Sequence, residues 1–175
     1  NVDQNCIYMS SLENSWVKGV SMSGFVHAGI KTTSTTRSTI EDCYAIDPSG
    51  LCTGGTYYNF ENYHRSQLIL LKNCYARNGR HHYISNGCAT TSGIVVLNFR
   101  SELSLAQAEG HRLWSQGILF DNWKELGTIK SNAGKIGMYL RDNMGSGHGW
   151  GGTNSVFWNC DVQGCLLYTS DAADE

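Results

Sequence analysis

Short apolar runs along this chain end repeatedly in Asn or Asp: STIEDCY, LILLKNCY, IVVLNF, ILFDNW and SVFWNC. Anchoring on that residue gives Asp42, Asn73, Asn98, Asn122 and Asn159, at intervals of 31, 25, 24 and 37 residues. Two positions earlier stand Ile40, Leu71, Val96, Phe120 and Phe157, and one position later Cys43, Cys74, Phe99, Trp123 and Cys160, all apolar. The position just before the anchor holds Glu41, Lys72, Leu97, Asp121 and Trp158, the mixture expected of an outward column. Inward, outward, bend, inward is a short β-strand running into a corner. Repeated at irregular spacing, it predicts an all-β solenoid whose coils differ in loop length. Asn suits the corner because it tolerates left-handed dihedrals, and its amide can bond the same group on the next coil as a ladder. In SWVKGVSM, Gly19 would take that corner in an earlier coil.

Other folds fit less well. A β-sandwich calls for cleaner alternation and hairpin turns, of which SNGC at residues 85 to 88 is the single example. Leucine-rich repeats need evenly spaced Leu, which is missing. Residues 101 to 110, SELSLAQAEG, could make a helical turn or two as a loop decoration, and residues 123 to 135 account for most of the extra length in the 37-residue interval. Composition agrees with a turn-rich β protein: 20 Gly, 1 Pro and 11% aromatic residues.

The last eleven residues, CLLYTSDAADE, differ in texture from everything upstream and resemble a translated sequencing adapter, so residues 1–164 are read as one β-helix domain of about six coils and 165–175 as an appendage. Starting at Asn1 without an initiator Met, the solenoid is expected to be incomplete at both ends. Without Asp171, Asp174 and Glu175, the balance of 13 basic and 15 acidic residues becomes 13 and 12, moving the formal net charge from −2 to +1. Such near-neutrality gives no argument for nucleic acid or an anionic membrane, and no apolar run has the length of a membrane span. Zinc-type paired cysteines are absent. Cys43, Cys74 and Cys160 share one column and read as buried apolar residues, and Trp123 and Trp158, beside the anchors, as packing residues.

The chemistry concentrates elsewhere. EGHRLWSQGILFDNW and GHGWGGTNSVFWNCD share a layout, placing His111 and His148 each 11 residues before its anchor. They are expected on adjacent strands of one exposed face, about 5 Å apart. His64, 9 before Asn73, shares His-Arg and Ser-Gln with HRLWSQG, and His81 and His82 come into register across a six-residue loop. Only His27 is expected to stand further down the stack. Arg80, Arg112, Arg141, Trp114, Trp150 and Glu109 lie near the same stripe. Imidazoles move protons near neutral pH, guanidiniums fork onto carboxylates, and indole faces stack on sugars. Taken singly, each histidine is better explained by a surface ladder bonded to loop carbonyls than by catalysis; as a cluster with three arginines, the two readings balance. The glycines of GSGHGWGG make no phosphate loop, because no Gly-Lys-Ser/Thr follows.

Across essentially residues 5 to 164, this repeat texture resembles the right-handed parallel β-helix proteins of the pectin lyase-like superfamily. That resemblance implies a secreted or cell-surface, bacterial-type protein that binds an acidic, uronate-containing polysaccharide along stacked coils and cleaves it by β-elimination or hydrolysis. It makes His81, His111, His148 and Arg112 the catalytic candidates, with His82, His64, Arg80, Trp114, Trp150, Glu109 and Arg141 as substrate contacts. Gly147-His148-Gly149 is similar to the Gly-His-Gly element of polygalacturonases, but the Asn-Thr-Asp, Asp-Asp and Arg-Ile-Lys elements of that family are missing, as is the Trp-Ile-Asp-His of pectate lyases. No cofactor is evident; Ca2+ stays open without a carboxylate cluster to support it. The competing expectations are a non-catalytic glycan-binding adhesin or tailspike-like shaft, and a purely structural coil stack.

Overall fold

The computed structural model describes residues 4–127, 135–162 and 164–167, and the chain winds as a right-handed parallel β-helix with no helix among them. The first coil is β1 (Ile7–Ser10), β2 (Trp16–Lys18) and β3 (Ser21–Ser23), and the second β4 (Ala28–Thr33), β5 (Thr36–Glu41) and β6 (Tyr44–Ile46). The third is β7 (Tyr58–Tyr63), β8 (Gln67–Lys72) and β9 (Tyr75–Arg77), and the fourth β10 (His81–Asn86), β11 (Ser92–Leu97) and β12 (Arg100–Glu102). Next come β13 (Ala108–Gly110), β14 (Ser115–Asp121) and β15 (Lys124–Glu125), then β16 (Lys135–Met138), β17 (Gly152–Thr153), β18 (Val156–Trp158) and β19 (Gly164–Leu167). First strands of successive coils stack into sheet A, second strands into sheet B and third strands into sheet C, every pairing parallel.

The repeat read from the sequence is the register of sheet B. Ile40 pairs with Leu71, Leu71 with Val96, Val96 with Phe120 and Phe120 with Phe157, and the first four of these side chains are at most 1% exposed. Phe120 and Phe157 stack with centroids 5.1 Å apart, and Phe99 packs on Trp123 at 4.2 Å in the next column. Each such buried side chain contributes about 1.5–3 kcal/mol, so the interior file is the main source of stability. Trp158 differs from the packing role expected of it: it pairs with Asp121 in the outward column and is 67% exposed. Among the described side chains, six cysteines, Cys43, Cys74 and Cys160 among them, are free thiols.

All five anchors have positive φ, between 49° and 57°, and Gly19 has a φ of 68° at the equivalent corner. Asn73 Nδ2 donates to Asp42 Oδ1 (3.2 Å), Asn98 to Asn73 (3.1 Å) and Asn122 to Asn98 (2.7 Å). Asn98→Ala is expected to lose about 2 kcal/mol, combining the left-handed strain of a Cβ with two lost ladder bonds. Asn98→Gly should lose about half of that, and urea unfolding of the two variants separates backbone strain from the amide bonds.

Two local expectations give way. Residues 101 to 110 form no helical turn, because Ser101 and Ala108 each pair in register with neighbouring strands. The long coil carries much of its extra length after β16, where residues 139 to 151 leave the sheet as a loop closed by a Leu140–Trp150 antiparallel bridge. Residues 165–175 were expected to continue no coil, yet the backbone of Gly164–Leu167 pairs in parallel with β16; residues 168 to 175 lie outside the described residues.

Candidate functional site on the outer face of sheet A

Two loops wall a cleft of about 440 Å³ on the outer face of sheet A. One contributes Gly54 and Gly55 between β6 and β7, and the other Arg141, Gly145, Ser146 and His148 after β16. The floor includes Lys31 and Glu61, which belong to an outward file in which Lys31 pairs with Glu61, Glu61 with Ile84, and Ile84 with Glu109. The cleft thus runs along the coil axis, with four cations, Lys31, Arg80, Arg112 and Arg141, on its walls.

At one end, Glu61 is 2% exposed and is held by His27 Nε2 at 2.7 Å and Asn86 Nδ2 at 2.8 Å, with Lys31 Nζ at 3.7 Å. Lys31 Nζ also lies 4.4 Å over the Tyr63 ring, and Arg112 Nη2 stands 3.5 Å from the Tyr63 hydroxyl. Two strand spacings along the same file, Glu109 is fully buried. It contacts His111 Nδ1 and Arg141 Nη1, accepts from Gln107 Nε2 at 2.9 Å and lies 3.8 Å from His81 Nδ1. His111 Nε2 and His148 Nε2 are 3.0 Å apart.

One assignment of ring protons satisfies the contacts among Glu109, His111 and His148, and it sets His111 Nδ1–H against the Arg141 Nη1 donor that also approaches it. His111 Nδ1–H donates to Glu109, and His148 Nε2–H donates to His111 Nε2. His148 Nδ1 then keeps its lone pair; this nitrogen is buried and has no hydrogen-bond partner among the described residues. A side chain on Gly145 would collide with that ring: a Cβ there would sit 2.2 Å from its Cε1 and 2.8 Å from its Nδ1, so the glycine is required by close approach. The line Glu109, His111, His148 has the form of a carboxylate that orients a base.

Burial is the first cause that lowers the pKa of His111, to about 2, with Arg141 and then His148 adding to it; burial likewise takes His81 down to about 3. His148 is also lowered, by burial and then by Arg141. Repulsion between the His111 and His148 imidazoliums is secondary. All three rings are neutral at pH 7. Tyr139, against Gln107, is pushed up to about 12 by burial and by Glu109.

The structure brings His81, His111, His148, Glu109, Arg141, Arg80 and Arg112 to one end of the face, but by routes the sequence did not show. His111 lies just past the end of β13 and His148 in the loop after β16, so neither is on a strand, and the face is buried: His81 is 2%, His111 5% and His148 9% exposed. His82 turns into the interior, its Nδ1 3.6 Å from Glu125, whose carboxylate accepts from Ser101 Oγ. His64 stacks on Tyr63 at 4.0 Å, and Trp114 pairs with Trp150 at 5.8 Å; none of these three lines the cleft. His27, expected further down the stack, is a cleft residue, and Lys31, Tyr58, Glu61, Tyr63 and Asn86 were missed.

His81, Glu109 and His111 present ligand atoms within 4.8 Å of one another. Two imidazoles and one carboxylate suit a zinc-like ion better than Ca2+, which takes oxygen ligands. The protein's own groups already occupy this donor set: His81 Nδ1 donates to the Gln107 carbonyl at 2.5 Å, and the Arg141 guanidinium lies against Glu109 and His111. Arg141 therefore supplies the local positive charge.

No protein-family model matches the chain, and no curated protein does. No helix among the described residues is long and apolar enough to cross a membrane.

Proposed function

We propose that this β-helix is a secreted or cell-surface protein, related to the pectin lyase-like superfamily, that binds an acidic polysaccharide in the sheet A cleft and cleaves it by β-elimination. The observation that carries this reading is the pairing of a cation-lined cleft with neutral, hydrogen-bonded histidines. Lys31, Arg80, Arg112 and Arg141 match a polymer bearing repeated carboxylates. A guanidinium bonded to the uronate carboxylate makes the adjacent C5 proton more acidic, and His148, backed by His111 and Glu109, accepts that proton. The C5–H electron pair forms the C4–C5 double bond as the C4–O bond breaks, and a lining phenol, Tyr58 or Tyr63, returns a proton to the leaving oxygen. Hydrolysis is less well supported. It needs two available carboxyl groups, whereas Glu109 lies beneath His111 and Arg141 and does not line the cleft.

Incubation with polygalacturonate and alginate is expected to release unsaturated uronate, read by its ultraviolet absorbance. His148→Ala should lower kcat by about 10² to 10⁴ with little change in KM, the usual contribution of a general base. New reducing ends without absorbance would mean hydrolysis. Binding without either product would favour the second reading, a glycan-binding adhesin or tailspike-like shaft, which the burial of His81 and His111 supports.

A further inference from the structure

A second concavity, about 700 Å³, lies in a different place, along the corner between sheets B and C. Its lining follows the coil register. Tyr44 pairs with Tyr75, Tyr75 with Arg100, and Arg100 with Lys124, so each coil offers one outward group along one line. The two tyrosine rings are 5.9 Å apart, and Tyr75 is steadied by its hydroxyl contact with Glu102. Along the other wall run the amides of Asn73, Asn98 and Asn122. The ladder uses one donor proton and one acceptor lone pair of each inner amide, leaving the second of each for a ligand. Lys124 lies 3.9 Å from Asp161, itself exposed, and Leu126 closes the end.

We infer that this corner groove is a second glycan-binding site, holding an extended anionic oligosaccharide with its sugar rings on Tyr44 and Tyr75 and its carboxylates at Arg100 and Lys124. Three features select that class. Aromatic faces stack on sugar rings, a row of amides at one strand spacing, roughly 4.8 Å, meets successive hydroxyls, and the cations stand on neighbouring coils. A nucleic acid strand would bring a phosphate to every coil and calls for a longer cationic track than two residues. The inference does not depend on cleavage in the sheet A cleft.

Calorimetric titration of the full chain with a hexagalacturonate tests it. Two binding events are expected, and Arg112→Ala should remove the one in the sheet A cleft. In that background, Tyr44→Ala and Arg100→Ala should each weaken the remaining event about tenfold, with thermal unfolding unchanged because both side chains project outward from the coil. Added salt should weaken it further. The inference is overturned if the Arg112→Ala chain binds nothing, if neither further substitution alters its binding, if neutral cellohexaose binds equally well, or if an oligothymidylate binds more tightly.

Discussion

Lowering the pH from 7 to 5 is expected to cost this β-helix about 4 kcal/mol of folding stability, a large share of the 5–15 kcal/mol typical of a domain. His81 and His111 have folded-state pKa values of about 3 and about 2, far below the 6.5 of a free imidazole. Above pH 6.5 both states leave these rings neutral and their contribution is constant. Below it, the unfolded chain takes up two protons that the folded chain refuses, so stability falls by about 1.4 kcal/mol per proton per pH unit until the folded pKa values are reached. Urea unfolding across this range should show the slope. His81→Gln with His111→Gln should flatten it between pH 6.5 and 5 while lowering stability at pH 7. A wild-type profile already flat over that interval would mean that these rings are hydrated and free to protonate.

The sequence made one side of the solenoid legible because its residues share a corner. The Asn ladder demands a left-handed residue at the same point of each coil, so the columns on either side of Asn73, Asn98 and Asn122 align by simple counting, and the inward and outward positions of sheet B follow. The cleft lies on sheet A, across a turn of variable length. Lys31, Glu61, Ile84 and Glu109 share one outward file, yet they precede their anchors by 11, 12, 14 and 13 residues. Counting from the sheet B corner therefore scatters the file that matters, and Lys31 and Glu61 escaped notice. The common offset of His111 and His148 is the register of these two coils, for they are 37 residues apart like the paired Ser115 and Gly152, although His148 reaches its place through the loop of residues 139 to 151. His82 was misplaced for another reason. It directly follows His81 in the chain, but its side chain points to the interior, which nothing in the two-histidine pair reveals.

The largest single loss is expected from removing the cation that the long loop brings to this end of the face. Arg141→Met should destabilise the protein by about 3–5 kcal/mol, the usual cost of leaving a buried charge without its partner. Glu109 is fully buried, and its remaining neighbours, Gln107, His81 and His111, include no fixed positive charge. Adding Glu109→Gln to Arg141→Met removes the stranded carboxylate and should restore most of the loss, giving a coupling energy of about 2–3 kcal/mol in a double-mutant cycle. The same substitution should blunt the acid sensitivity. Without the guanidinium that helps to hold its pKa down, His111 can take a proton beside Glu109, so folded and unfolded chains differ less in proton uptake below pH 6.5. Urea unfolding of the four chains at pH 7 and pH 5 measures both effects. Additive losses with an unchanged pH slope would show that Arg141 stands in solvent, leaving Glu109 and His111 to hold the cleft without it.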